Sequence, residues 1–294
     1  HDKMNIYGKL SLLSSFHAAS GFFAPQGFVS RGHTAAYSSF LDNVGGGRTA
    51  PLPAASPSGP ISQPVMQSGD VQMWDELWGT LARVRVQGGA LKTWSYPSPD
   101  LERVFVELES DGPPEGNPLR AQIELNQGPD NTPWRMDIYS GKGRLRPCKF
   151  WVETPGETNA VFIRNIGPLE FPFNAGVGTE MEEDGSDSTM VVSEDLFQMS
   201  SDYIVQGGAV RVYDLDPSVS YAKVVLRTDG RPLNASVELI QGPNAPKYTI
   251  DVYTEDGELR PFVFIMKTPG VGNSIRIVNT GTQEFPLTAA LGPS

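Results

Sequence analysis

The chain has 294 residues, a formal charge of −11 and a mean hydropathy of −0.27. That length is enough for two ordinary domains with tails, and 31 glycines and 25 prolines favour strands and turns over helices. No apolar run approaches the ~20 residues of a membrane-spanning helix, no basic stripe offers a footprint to nucleic acid or anionic membrane, and a single cysteine, Cys148, excludes an intrachain disulfide and suits a reducing compartment.

In chain order, Lys9 precedes Leu10-Ser-Leu-Leu-Ser-Ser-Phe16, a pattern that reads as a short signal-peptide core. Ala19-Ser-Gly-Phe-Phe-Ala-Pro25 follows, and residues 26–69 are rich in Ser, Ala, Gly and Pro with few acids, as transit peptides are. Residues 1–69 are therefore expected to be a targeting leader and unstructured segment. From Asp70 to Arg83 the spacing predicts a helix: Asp70 caps it, and Val71, Trp74, Leu77, Trp78 and Leu81 fall on one face. Trp74 and Trp78 need a surface to cover, either on the first repeat or in a groove of a neighbouring subunit.

The rest of the chain is written twice. Val86-Gln-Gly-Gly-Ala90 returns as Val205-Gln-Gly-Gly-Ala209, and Glu124-Leu-Asn-Gln-Gly-Pro129 as Glu238-Leu-Ile-Gln-Gly-Pro243. Residues 121–175 align with 235–289 without a gap, with 24 identities in 55 positions, so the duplication is secure. Predicted strands in the first copy are residues 83–87, 91–96, 104–109, 120–126, 135–140, 149–153 and 160–165, separated by Gly/Pro turn signals. Met136, Ile138, Ile250 and Val252 point to one side, and Asp137, Tyr139, Asp251 and Tyr253 to the other. The expected fold is all-β: two homologous antiparallel β-sandwich domains of jelly-roll or Ig-like type in tandem (86–178 and 205–294), with short flanking helices. Between them, residues 179–204 hold eight acids and no Lys or Arg. This acidic linker ends in Ser193–Met199, whose Leu196, Phe197 and Met199 are candidates for docking on a neighbour.

The chemistry these repeats can support is narrow. His1, His17 and His33 all precede them, which removes Ser-His and Cys-His nucleophile pairs and His/Cys metal sites from the repeats. No Gly-rich phosphate loop opens a helix, so no cofactor or metal is expected. Glu124, Asp137, Glu238 and Asp251 supply paired carboxylates, the minimum for glycoside hydrolysis. A repeated ion pair or strand-end hydrogen bond, with Arg146 and Arg260 as partners, explains them more simply. Three functions remain in play. A pseudo-symmetric body with similar edges on opposite sides suits a self-assembling structural protein. A binding module would use Trp94, Trp134, Trp151, Tyr213 and Tyr248 as stacking platforms for glycans or present a peptide surface. A carboxylate enzyme is the weakest of the three.

Ala19–Pro25 resembles the Ala-Ser-Ala-Phe-Ala-Pro junction of diatom plastid leaders, departing from it by a glycine and one additional phenylalanine. Together with tandem β repeats carrying Glu-Leu-X-Gln-Gly-Pro, the chain resembles the diatom pyrenoid shell proteins over residues 86–290. The resemblance implies a non-enzymatic protein of the plastid stroma at the pyrenoid periphery. Its partners would be copies of itself, paralogues and the Rubisco matrix, in a sheet that supports CO2 concentration. The expected assembly residues are Trp74, Trp78, Leu196 and Phe197, with Glu124, Gln127, Asp137, Tyr139 and Arg146 and their second-copy counterparts Glu238, Gln241, Asp251, Tyr253 and Arg260.

Overall fold

The computed structural model of the protein describes residues 78–98, 101–128, 131–156, 158–179, 203–242 and 246–293. Sixteen strands follow in order: β1 (Arg83–Val86), β2 (Leu91–Tyr96), β3 (Arg103–Ser110), β4 (Leu119–Gln127), β5 (Asn131–Ser140), β6 (Cys148–Glu153), β7 (Asn159–Asn165), β8 (Phe173–Thr179), β9 (Tyr203–Val205), β10 (Val210–Asp214), β11 (Tyr221–Arg227), β12 (Leu233–Gln241), β13 (Tyr248–Thr254), β14 (Phe262–Lys267), β15 (Asn273–Asn279) and β16 (Leu287–Pro293). All seven strands predicted for the first copy are present. Each copy also has an eighth, β8 and β16. In β8 its signal is diluted by Gly176 and Gly178, over which Leu81 packs closely. A Cβ on Gly178 would stand 2.4 Å from Leu81 Cδ2, and one on Gly176 3.0 Å from Leu81 Cβ.

The all-β sandwich class is as the sequence predicts, but the tandem arrangement differs. The two copies are halves of one sandwich. One sheet runs β1-β8-β3-β6-β14-β11-β16-β9, and the other β10-β15-β12-β13-β5-β4-β7-β2. The copies meet edge to edge in both layers, where β6 pairs with β14 and β5 with β13, all antiparallel. A single apolar core fills the space between the sheets and includes Ile123, Met136 and Phe150 of the first copy with Val237, Ile250 and Phe264 of the second. Both copies belong to one compact unit.

The register at the joint makes it a pseudo-two-fold. Phe150 stands opposite Phe264, and Asp137 opposite Asp251. In each pair a residue faces its own counterpart from the other copy, as a dyad through the two sheets requires. The backbone extends the joint reciprocally: Gly141 N–H donates to Lys247 O at 3.1 Å, and Glu255 N–H to Pro133 O at 2.9 Å.

The repeated Val-Gln-Gly-Gly forms the turn from β1 to β2 and from β9 to β10. Its first glycine lets a loop press against it, since a Cβ on Gly88 would meet Pro168 O at 2.0 Å and one on Gly207 Thr282 O at 1.7 Å. Its second glycine has φ near +78°, a left-handed conformation that costs glycine little.

Of the predicted helix, residues 78–83 are described: 78–80 are helical, Leu81 bends away and Arg83 already begins β1, so the helix stops short of the Arg83 expected from the spacing. Trp78 is buried against its own chain, edge-on to Phe105 at 5.9 Å. It lies in a second apolar cluster with Trp151, Val225, Val263, Ile265 and Ala290. Those residues come from both copies, so Trp78 bridges the joint from outside. The leader, Trp74, residues 180–202 of the acidic linker with Leu196 and Phe197, and Pro129 and Pro243 lie outside the described residues.

A shared core predicts that neither copy is self-sufficient. Residues 78–179 expressed alone should aggregate or dimerise through β5 and β6, and mixing with residues 203–293 should give a one-to-one complex. Size-exclusion chromatography with light scattering checks this. A monomeric half that melts cooperatively would overturn it.

Candidate functional site

The glutamine of the repeated Glu-Leu-X-Gln-Gly-Pro motif ends β4 and β12, and it is the residue that ties the copies together. The glycine after it, Gly128 or Gly242, turns the chain with φ of +67° or +73°. Gln127 Nε2 donates within its own copy to Pro155 O at 2.5 Å and to Asn159 Oδ1 at 2.9 Å. Its Oε1 accepts from Arg260 of the other copy at 2.5 Å. Gln241 repeats the pattern: Nε2 donates to Pro269 O at 2.8 Å, and Oε1 accepts from Arg146 at 2.8 Å. Each amide therefore holds a turn of its own half with one end and the opposite half's guanidinium with the other.

Both arginines are buried, 4% and 6% exposed. Burial lowers the pKa of each guanidinium, against the pull of Glu115 on Arg146 and of Asp256 and Glu255 on Arg260. Arginine stays charged regardless. The Nε of each is buried without a hydrogen-bond partner, so the glutamine oxygen is an acceptor the buried cation cannot readily replace. The sequence suggests these arginines as partners for the repeated carboxylates; the structure gives them the glutamines instead.

The carboxylates lie on the outer face of the second sheet. Asp137 accepts from Arg135 at 2.8 Å and from Gln122 at 3.0 Å. Asp251 faces it across the dyad. These two, with Arg135, Tyr253, Asn234 and Thr280, line an open groove of about 400 Å³. Tyr139 lies under the Arg120 guanidinium, 5.3 Å from ring centre. Glu124 is in register with Arg135, and Glu238 is ion-paired with Arg276, whose Nε donates to it at 2.7 Å. Among the described residues no group of three or more His, Cys, Asp or Glu stands close enough to hold a metal, and no helix is long and apolar enough to cross a membrane.

The aromatic platforms of the binding-module reading are mostly internal. Trp134, Trp151, Tyr213 and Tyr248 are each no more than 2% exposed. Trp134 stacks on Phe262 of the other copy at 4.9 Å, and at the equivalent place Tyr248 lies beside the Cys148 thiol. A large ring over phenylalanine on one side of the dyad is matched by a smaller ring over cysteine on the other. Cys148 is therefore a packing residue, and burial pushes its pKa to about 12.

Reading residue types missed the asparagines. Asn165 donates to Val86 O at 3.0 Å and Phe171 O at 3.0 Å, and Asn279 to Val205 O at 2.9 Å and Phe285 O at 2.8 Å. Asn159 and Asn273 likewise hold the carbonyls of Thr154 and Thr268. All four are identical between the copies, and that identity is the signal that marks them.

Two tests follow from this geometry. In double-mutant cycles, Gln127→Ala with Arg260→Ala should show a coupling of about 1.5–3 kcal/mol, the worth of a hydrogen bond to a charged group. Gln127→Ala with Arg146→Ala should show almost none. Urea unfolding reads both, and equal couplings would break the cross-copy assignment. Ellman's reagent at pH 8 should leave Cys148 unmodified in the folded protein and react with one thiol per chain in denaturant.

The sequence profile of the diatom pyrenoid shell protein family matches residues 78–293. Curated proteins give no match. Among solved structures, the chain is similar to PBSX exported protein XepA, at 10% identity over 72% of this chain and 85% of that one, with a TM-score of 0.23. It is also similar to vicilin from tomato (Solanum lycopersicum), at 8% identity over 72% of this chain and 76% of that one, with a TM-score of 0.20.

Proposed function

The chain belongs to the diatom pyrenoid shell protein family, and on that premise we propose that it is a structural, self-assembling subunit of the shell that encases the Rubisco matrix of the pyrenoid. The observation that carries this reading is the span of the family match, which takes in both repeats and every described strand. On this reading the protein acts in the plastid stroma at the pyrenoid periphery. Its partners are copies of itself and paralogues, with the Rubisco matrix on one side, and the sheet limits CO2 leakage and so supports fixation.

The geometry is consistent with a scaffold. Of the repeated polar residues that the sequence singles out, Gln127, Arg146, Gln241 and Arg260 hold the two halves together, and the buried aromatic rings leave little of the stacking platform a glycan-binding module needs. A sandwich with, among the described residues, a free edge strand at each end of both sheets suits a repeating lattice.

Purified protein at micromolar concentration should form sheets or tubes in negative stain, with a matching rise in light scattering. A stable monomer across salt and concentration would overturn the reading. A fluorescent fusion in the native cell should outline the rim of the pyrenoid, and an even stromal signal would count against it.

A further inference from the structure

The sandwich is open at both ends. Among the described residues, β1 and β2 are the free edges at one end, and their second-copy equivalents β9 and β10 are the free edges at the other. A free edge exposes a row of unpaired backbone donors and acceptors, and natural edges are usually guarded by charge, proline or a bulge. The two ends are guarded differently. The first carries Arg83, Arg85 and Lys92 on its edge strands. At the second, Ile204 stands where the first has Arg85 and Val212 where it has Thr93. Ile204, Val210 and Val212 are 68%, 56% and 46% exposed. The one cation there, Arg211, is folded back over the Tyr203 ring at 3.8 Å. Seven of the eleven large apolar side chains that the described residues expose lie on these edge strands or on the loop that presses on the β1–β2 turn. Exposed apolar surface is therefore concentrated at the ends rather than spread over the faces, which marks contact surfaces.

Strand direction selects what fits there. Each sheet has eight strands, all paired antiparallel, so its two edge strands run in opposite directions. A second copy placed in line therefore meets the first antiparallel in both layers at once. That is the contact already seen within the chain, where β6 pairs with β14 and β5 with β13. Charge then selects which ends meet. Arg85 is paired with Asp111 at 2.7 Å, so the charge that two first ends would bring together is that of the Lys92 strands. A first end on a second end sets the Lys92 strand beside the strand of Asp214 and covers Ile204, Val210 and Val212.

We propose that the partner at these edges is a second copy of this chain, joined head to tail: β9 and β10 of one copy pair with β1 and β2 of the next and continue both sheets. This deepens the assembly reading and rests on it. The contact is heterologous, so it does not close on itself and extends as a row.

The test uses full-length chain carrying single cysteines, Thr93→Cys on β2 or Val212→Cys on β10, with a short bismaleimide that tolerates a register offset. Cys148 is buried and does not compete. Mixing the two variants should give covalent dimers at least tenfold above either variant alone. Val212→Cys cross-linking to itself as efficiently would show a symmetric second-end contact and overturn the head-to-tail seam. As a second measurement, the paired change Val210→Lys and Val212→Lys should raise the concentration needed for assembly at least tenfold with the melting temperature unchanged. If the lysine variant assembles like the parent chain, the seam lies elsewhere and the shell reading survives. If the parent chain stays monomeric, both fall.

Discussion

The joint between the two copies is the constraint on which the rest of the molecule depends. A domain of about 90 residues buries a modest share of the surface its unfolded chain exposes, and fusing two raises that share. Here the fusion is made by hydrogen-bonding edge strands, so both sheets and the core between them run through the joint. An edge contact of this kind needs something at its corners, where the ladders end and the loops leave. Gln127 with Arg260 and Gln241 with Arg146 fill that place. Each bond takes a buried cation from one half and an acceptor from the other, so neither half satisfies its own polar groups without its partner.

The symmetry imposed by the joint is kept in apolar character between the sheets and in Asp137/Asp251 and Tyr139/Tyr253 on the second sheet, and it is abandoned on the outer face of the first. Between the sheets, Phe150 and Phe264 meet on the dyad, and Val106 of β3 corresponds to Val224 of β11. On the outer face of the first sheet the register sets Phe105 against Lys223, Glu107 against Val225, Lys149 against Val263 and Trp151 against Ile265 as equivalents. Every one of these pairs changes character. Glu107 is held there by Arg83 at 2.8 Å and by Lys149 at 3.8 Å, and burial raises its pKa against the pull of both cations. Lys223 lies with its ammonium 5.3 Å from the Trp151 ring centre. A face that differs so completely between the halves packs against a single asymmetric feature, and Trp78 with Leu81 is such a feature.

Much of this was legible in the sequence, and the boundary of legibility has a physical cause. Alternation placed Met136 and Ile138 inward and Asp137 and Tyr139 outward, because strand periodicity is a local property. The abrupt stop after Gln127 and Gln241 was readable for the same reason, since glycine at the next position permits the turn. The eighth strand was not, because Gly176 and Gly178 serve Leu81, a contact made across nearly a hundred residues of chain. Nor was the partner of Arg260. Spacing shows which residues recur, and the copy in which each finds its partner is decided by how the edges meet. Arg135 and Arg276 were passed over because neither recurs: Thr249 and Phe162 stand at their equivalent positions.

Those two unrepeated arginines show what a dyad demands of charge. Any residue on the axis must face itself, so the duplication sets Phe150 against Phe264 and Asp137 against Asp251. Two apolar side chains are compatible with that placement, whereas two like charges directly opposite lose by it. A symmetric remedy would place one cation beside each aspartate. The chain adopts an asymmetric one, in which Arg135 and Gln122 bind Asp137 and the Thr249 position offers no charge to Asp251. One ion-paired carboxylate beside one solvated carboxylate relieves the repulsion, because the repulsion belongs to the pair. The repeated aspartates are therefore better explained by the geometry of the joint than by a reaction, and the arginine that breaks the repeat is the evidence for it.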